Sequence, residues 1–310
     1  MSWKAILHEL DLLGTVALVP AITCLFLALT WAGTKYAYNS ATVLGLFVGF
    51  GLLSVAFVYD QCRKQDSATL PPRIIKRRSI IAGFIFSACC NGSITVLEYY
   101  MPTYFQTVRG WSPAKSGLLI MPIIGGFLVG MLVHGVGTTL IGFYTPFMLI
   151  SSTLMPIAAG LMTTWTLQTQ FAKLVAYSAL SGFASGVGFQ GPQSAVQVSL
   201  SDVDGPLGLS VKLFGQNFGP ALFISIAQAI FTNRLGANLH NAIPGSDAKA
   251  LENMGFSELV ASVGPQNVGK VLAGFDRSIT QTWYLPLGAT CLTMVGSLLM
   301  EWRSVKEKRN

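Results

Sequence analysis

The chain alternates long apolar runs with short polar segments. Eight runs approach the roughly twenty residues that a helix needs to cross a bilayer, and each is predicted to be a transmembrane helix. Inside lipid a backbone must satisfy its own polar groups, and a helix does so within one segment. The pattern therefore predicts an all-α integral membrane protein whose helices span residues 12–31, 41–59, 80–100, 117–138, 147–165, 172–194, 213–231 and 282–302.

Composition strengthens this interpretation. Of the 310 residues, 52% are hydrophobic and only 11% are charged, which is roughly half the charged share of a soluble domain. A chain with so few charges cannot cover a water-facing surface, so a soluble globular domain is excluded. The five cysteines are scattered without metal-ligand spacing and are interpreted as small apolar packing residues.

Lysine and arginine positions predict the orientation. Two basic clusters lie between the second and third spans and at the carboxyl end, and an excess of these residues marks the cytoplasmic side. Six predicted spans separate the clusters, so both clusters and both termini are expected in the cytoplasm. Lys212 is counted here as an inner-loop residue. Because the basic residues sit at membrane edges without a nucleic-acid motif, no nucleic-acid partner is expected.

Two groups of amide side chains lie in the sixth and seventh spans. Gln190, Gln193 and Gln197 follow one another at spacings of three and four, and Gln216 and Asn217 lie in the next span. Amides in a membrane usually face a cavity or a neighbouring helix. They are candidates for substrate binding, since they can hydrogen-bond an organic molecule without a charge. Pinning two helices together is the alternative.

Glu98 is the acidic residue that lies well inside the third span. An ionisable group there is a functional hypothesis by default, so Glu98 is the candidate for proton coupling. Its position near the outer end leaves the alternative that it is merely solvated at the headgroups. His134, near the inner end of the fourth span, is interpreted as an interface residue rather than a proton relay.

Small residues recur four apart in two spans, at Gly126 and Gly130 and at Gly182 and Gly186. Such faces let helix backbones approach closely in lipid. Helix packing is the simpler interpretation, although a transporter also needs smooth faces. The sequence has no phosphate loop, metal-binding histidine pair or nucleophile elbow, so neither enzymatic activity nor a cofactor or metal is expected.

Several stretches together resemble one family. They include Leu-Asp-Leu-Leu-Gly at 10–14, Met-Glu-Trp-Arg-Ser-Val at 300–305, and the segments 27–34, 45–51, 99–106, 116–117, 141–147, 186–190 and 228–233. The chain resembles the carboxyl-terminal portion of fungal fourteen-helix drug and toxin efflux pumps of the major facilitator superfamily (MFS).

The resemblance implies a plasma-membrane pump that exports small organic molecules, such as secondary metabolites, in exchange for protons. It also implies a partial major facilitator fold that lacks the amino-terminal six-helix bundle. Residues 1–78 would be two connecting helices and a basic cytoplasmic loop, and 79–310 a six-helix bundle with a long extracellular loop at 232–278.

Major facilitator transporters move one bundle against the other. The resemblance therefore implies a truncated or partner-dependent form, with a second copy or the amino-terminal half as partner. The alternative is a non-transporting scaffold or a relic of such a pump.

Overall fold

The computed structural model describes residues 11–33, 35–64, 68, 70–242 and 266–306. Over these residues the chain forms twelve helices: α1 Leu12–Trp31, α2 Ala41–Lys64, α3 Pro72–Ile75, α4 Arg78–Thr107, α5 Pro113–Leu118, α6 Met121–Ile141, α7 Thr145–Thr163, α8 Phe171–Phe189, α9 Gly191–Ser199, α10 Gly205–Ala242, α11 Val268–Thr282 and α12 Tyr284–Leu299.

Six helical segments of the described chain are long and apolar enough to cross a membrane: Leu12–Trp31, Ala41–Lys64, Arg78–Thr107, Pro113–Ile141, Thr145–Thr163 and Val268–Leu299. They match six of the eight predicted spans. The predicted sixth and seventh spans are also helical, as α8 followed by α9 and as α10. The serine, glycine and amide residues of these two segments keep their mean hydropathy below that of the other six. The all-α membrane fold is confirmed.

Helix α10 is 38 residues long and extends well beyond the predicted span at both ends. Two expectations change as a result. Lys212 is not an inner-loop residue, because it lies inside α10 with 4% of its surface exposed. The expected loop at 232–278 is helical at both ends, since a helix satisfies its own backbone polar groups in water as well as in lipid. The expected surface helix at about 248–263 falls outside the described residues.

Contacts between loops show which helix ends meet at one end of the bundle. Arg78 Nη2 donates to Leu298 O at 3.2 Å, Arg77 Nη1 donates to Ser199 O at 3.0 Å, and Tyr144 Oη donates to Glu301 O at 2.8 Å. The two basic clusters therefore lie together, as the even number of spans between them predicted. This end, formed by residues 70–78, 142–145, 199–205 and 298–306, is called the basic end below.

Helices α1 and α2 form a pair that is only lightly covered by the rest of the chain. Of their most apolar windows, 17% and 11% of residues are buried, against 61% for α4. Phe26 packs on Phe218 of α10 with ring centroids 5.8 Å apart, and Asn233 Nδ2 donates to Tyr38 Oη at 3.1 Å. The remaining surface of this helix pair is apolar, as expected of a surface that faces lipid.

The two predicted glycine faces pack against each other. A methyl group at Gly126 would meet Ala179 O, and one at Gly182 would meet Ile123 O. The partner atoms are backbone, so α6 and α8 touch with no side chain between them. This is the arrangement by which small residues let membrane helices associate.

We predict that Gly126→Ala destabilises the protein by about 1–3 kcal/mol, the usual cost of overpacking, because a backbone carbonyl cannot move aside as a flexible side chain can. Thermal unfolding in detergent, followed by tryptophan fluorescence, measures the effect. Gly125→Ala is the matched control, since nothing lies within 4 Å of a methyl group there. Equal behaviour of the two variants would contradict the close contact.

A bidentate ion pair joins α3 to the start of α10 at the basic end. Arg73 Nη1 and Nη2 donate to the two carboxylate oxygens of Asp204 at 2.9 and 2.8 Å. Half of the Arg73 side chain is exposed, whereas the Asp204 side chain is 10% exposed. The guanidinium of Arg73 lowers the pKa of Asp204 below its ordinary 3.8, because it stabilises the charged carboxylate.

This lowered pKa predicts the direction of an acid effect. The pair contributes its stability above the ordinary aspartate pKa of 3.8, and that contribution is lost as the pH falls through the lower folded-state pKa. Wild type should thus lose more thermal stability than Asp204→Asn between about pH 5 and pH 3. Lys76→Gln, at an exposed lysine of the same end, should keep the wild-type slope.

Candidate functional site

The predicted sixth span is interrupted at Gln190. Helix α8 ends at Phe189, α9 begins at Gly191, and Pro192 occupies the first turn of α9. Proline has no backbone N–H to donate and is favoured in the first turn of a helix. A new helix start therefore falls within the span, and Gln190 lies at the junction.

A polar cavity of about 400 Å³ opens beside this junction. It is lined by residues of α6, of α9 and of the segment that follows α12: His134, Gly135, Thr138, Thr139, Gln190, Ser194, Gln197, Val305 and Lys306. Gln190, Ser194 and Gln197 are spaced by four and three, so they share one face. Two of the predicted amides, Gln190 and Gln197, thus line one cavity, below called the polar cavity.

His134 lies at the wall of the polar cavity and is 1% exposed. Its Nδ1 lies 2.7 Å from Val187 O, and because a carbonyl only accepts, Nδ1 carries the proton in this contact. Nε2 of His134 and Oγ1 of Thr138 are buried and have no hydrogen-bond partner among the described residues. His134 thus packs between α6 and α8, and its role stays a prediction.

Lys212 and Gln216 form a second polar group, one turn apart on α10. Lys212 Nζ donates to Gln216 Oε1, and the same nitrogen lies 5.0 Å from the ring centroid of Phe189. Phe189 directly precedes Gln190, so this group adjoins the helix junction that contributes Gln190 to the polar cavity. The spacing of four between Lys212 and Gln216 was visible in the sequence, but Lys212 was assigned to a loop.

The other predicted site residues are more dispersed. Gln193 is half-buried and does not line the polar cavity. Asn217 is exposed and donates to Leu213 O of its own helix at 2.8 Å. Glu98 is half-buried in α4 and makes no hydrogen bond or ion pair with the described residues. The structure brings Gln190 and Gln197 together, and it places Gln216 beside Phe189.

The chemistry of the polar cavity suits recognition of an organic molecule. It offers hydroxyl groups, amides, an imidazole nitrogen and the amine of Lys306. No group of three metal-ligating side chains occurs in the described part of the chain. The residues can donate and accept hydrogen bonds around a small organic molecule.

A larger cavity of about 720 Å³ lies at the opposite end of the bundle. Its lining is mainly apolar, with a few polar groups: Leu29, Tyr38, Ile226, Ala229, Ile230, Asn233, Arg234, Ala237, Gln281, Tyr284 and Leu285. It contains none of the predicted site residues.

The helices and the polar cavity define an all-α, multi-pass membrane protein. No family model matches the chain. Curated fungal proteins do match it over nearly its whole length. The chain is 38% identical over 308 residues to the MFS-type efflux pump MFS1 of Arthroderma benhamiae, which covers 99% of the chain.

Two further relatives are the efflux pump roqT of Penicillium rubens, 36% identical over 99% of the chain, and the MFS-type transporter astH of Aspergillus oryzae, 35% identical over 98%. The chain spans 58%, 57% and 54% of these three relatives, or about half their length. The chain is thus a relative of fungal MFS-type efflux pumps and transporters, as its sequence motifs indicated.

A solved structure supports the fold independently. A bacterial homologue of the human lysosomal transporter Spinster, in an inward-facing and unoccupied conformation, superimposes with a TM-score of 0.53 at 11% identity. The match covers 91% of this chain and 65% of that one. At this identity the similarity concerns the fold alone.

We predict that the polar cavity is open to water at the basic end. In a variant whose five cysteines are replaced by alanine, Gln197→Cys should react with a membrane-impermeant maleimide from one side of the membrane only. Asn233→Cys, exposed at the opposite end, should react only from the other side. Labelling of both positions from the same side would contradict the arrangement of the helix ends.

Proposed function

We propose that the chain is part of an efflux transporter that moves small organic molecules out of the cell in exchange for protons. The observation that carries the proposal is its similarity, at 38% identity over 99% of the chain, to a protein named as an MFS-type efflux pump. Secondary metabolites, toxins and drugs are the proposed substrates. Transport needs no covalent chemistry, which agrees with a site made of amides, hydroxyls and one imidazole.

The polar cavity supplies the proposed substrate contacts. Gln190 and Gln197 line it directly, whereas Gln193, Gln216 and Asn217 are proposed to reach the substrate in other conformations of the cycle. Glu98 remains the proposed proton-coupling residue, because it is a half-buried carboxyl group in a membrane helix and makes no ion pair within the described residues.

We further propose that the protein resides in the plasma membrane with both termini in the cytoplasm, so that the basic end faces inward. The positive-inside tendency of short loops supports this orientation. In the proposed organisation, residues 1–78 form a connecting pair and 79–310 a six-helix bundle. Since the relatives are nearly twice as long, the proposed partner is a second set of helices, either a further bundle or a second copy.

The experiment measures accumulation of three fluorescent dyes, one cationic, one neutral and one a carboxylate, in pump-deleted yeast that expresses the chain. We expect lower accumulation of at least one dye, and we expect a protonophore to abolish the difference. Gln190→Ala or Gln197→Ala should remove one hydrogen bond worth about 0.5–1.5 kcal/mol, roughly a two- to tenfold loss of apparent affinity.

Gln168→Ala is the matched control, since that amide is exposed and lies outside the polar cavity. Glu98→Gln should leave binding intact and reduce the effect of the protonophore. Unchanged accumulation of all three dyes, despite confirmed insertion in the plasma membrane, would contradict transport by this chain and favour a scaffold role.

A further inference from the structure

Lys212 is a buried cation that has no acidic partner among the described residues. It is 4% exposed, and no acidic residue in the described part of the chain pairs with it. The ion pairs there involve other cations, namely Lys64 with Asp11 and Asp60, Arg73 with Asp204, and Arg303 with Glu301. A buried charge is costly unless it is paired and hydrogen-bonded, and buried lysines are accordingly rare.

The surroundings of Lys212 place its side chain inside the bundle. Gly208 and Gly215 lie four residues before it and three after it, on the same face of α10. A methyl group at Gly208 would meet Leu200, and one at Gly215 would meet Phe84. Lys212 therefore lies on the side of α10 that faces α4 and the end of α9.

Two contacts stabilise the ammonium group in part. It donates to Gln216, and it lies over the ring of Phe189 at 5.0 Å, where the ring quadrupole attracts a cation. Both partners are neutral, and an ammonium has three hydrogens to donate. Two donors and one full positive charge are left without a match among the described residues.

We propose that Lys212 binds the carboxylate of an anionic substrate, which completes the proposed function by naming its substrate class. A carboxylate accepts charge-assisted hydrogen bonds, which are stronger than neutral ones, and it supplies the missing counter-charge. Phe189, over whose ring the ammonium lies, directly precedes Gln190, which lines the polar cavity. The apolar or hydroxylated body of the substrate would then lie against the amides of α9.

This assignment separates Lys212 from Lys64 and Lys76. Lys64 has two carboxylate partners, whereas Lys76 is exposed to water and has no need of a counter-charge. Substrates of similar size and shape should thus be distinguished by charge. An organic acid should bind tightly, and its neutral amide should bind weakly.

The test measures binding and transport separately. Binding of naphthalene-2-carboxylate and of naphthalene-2-carboxamide to the purified full chain in lipid nanodiscs is measured by isothermal titration calorimetry. We expect the carboxylate to bind about tenfold or more tightly than the carboxamide, the order expected when a buried charge gains a partner. Lys212→Gln should abolish this preference, Lys212→Arg should retain most of it, and Lys76→Gln should leave it unchanged.

The outcomes distinguish the inference from the function on which it rests. A charge preference that depends on Lys212, without export of the carboxylate dye in cells, supports the binding site and contradicts transport. If wild type and Lys212→Gln both export the cationic, neutral and carboxylate dyes equally well, the result supports transport and overturns the binding site. Equal affinity for the two naphthalene compounds, with folding of the variants confirmed by their thermal unfolding, also overturns it.

Discussion

A polar group inside a bilayer finds no water, and most of this structure follows from that constraint. Backbone groups are satisfied within helices, and side-chain hydroxyls commonly bond to their own helix or to a neighbour. Ser152 and Ser297, for example, share a hydrogen bond of 2.6 Å between α7 and α12. Polar groups that escape this rule are therefore informative. Nε2 of His134 and Oγ1 of Thr138 belong to residues that line the polar cavity, and the ammonium of Lys212 lies over the ring of Phe189, which precedes Gln190.

Helix association follows from the same constraint. Lipid is as apolar as the helices, so helices gain little by burying apolar side chains against each other and depend on close packing and polar contacts. Glycines supply the close packing between α6 and α8, where Gly126 and Gly182 touch opposite backbones. Polar contacts join the helices at both ends; at the basic end the pair Arg73–Asp204 and the contact Arg77–Ser199 tie the loops to the bundle.

The polar cavity lies beside a local irregularity. Pro192 begins a new helix within a span, and the junction at Gln190 lies against α6 near His134. Gln190, Ser194 and Gln197 then face one cavity, while Gln193 does not line it. An unbroken helix would present these residues at the same spacing. The polar cavity also needs the wall formed by α6 and by Val305 and Lys306, which are distant in the chain.

The sequence by itself determined the fold class, the helix order and the positions of the two glycine faces, because hydropathy and residue size act locally along each span. It also predicted that the two basic clusters share one end, which needs only an even number of crossings. Only the tertiary structure decided which polar residues share a cavity. In the structure Gln197 lines the same cavity as His134, and Lys212 lies on a buried face of α10 rather than in the predicted loop. The reason is that burial depends on which helices pack together and not on the order of residues in one helix.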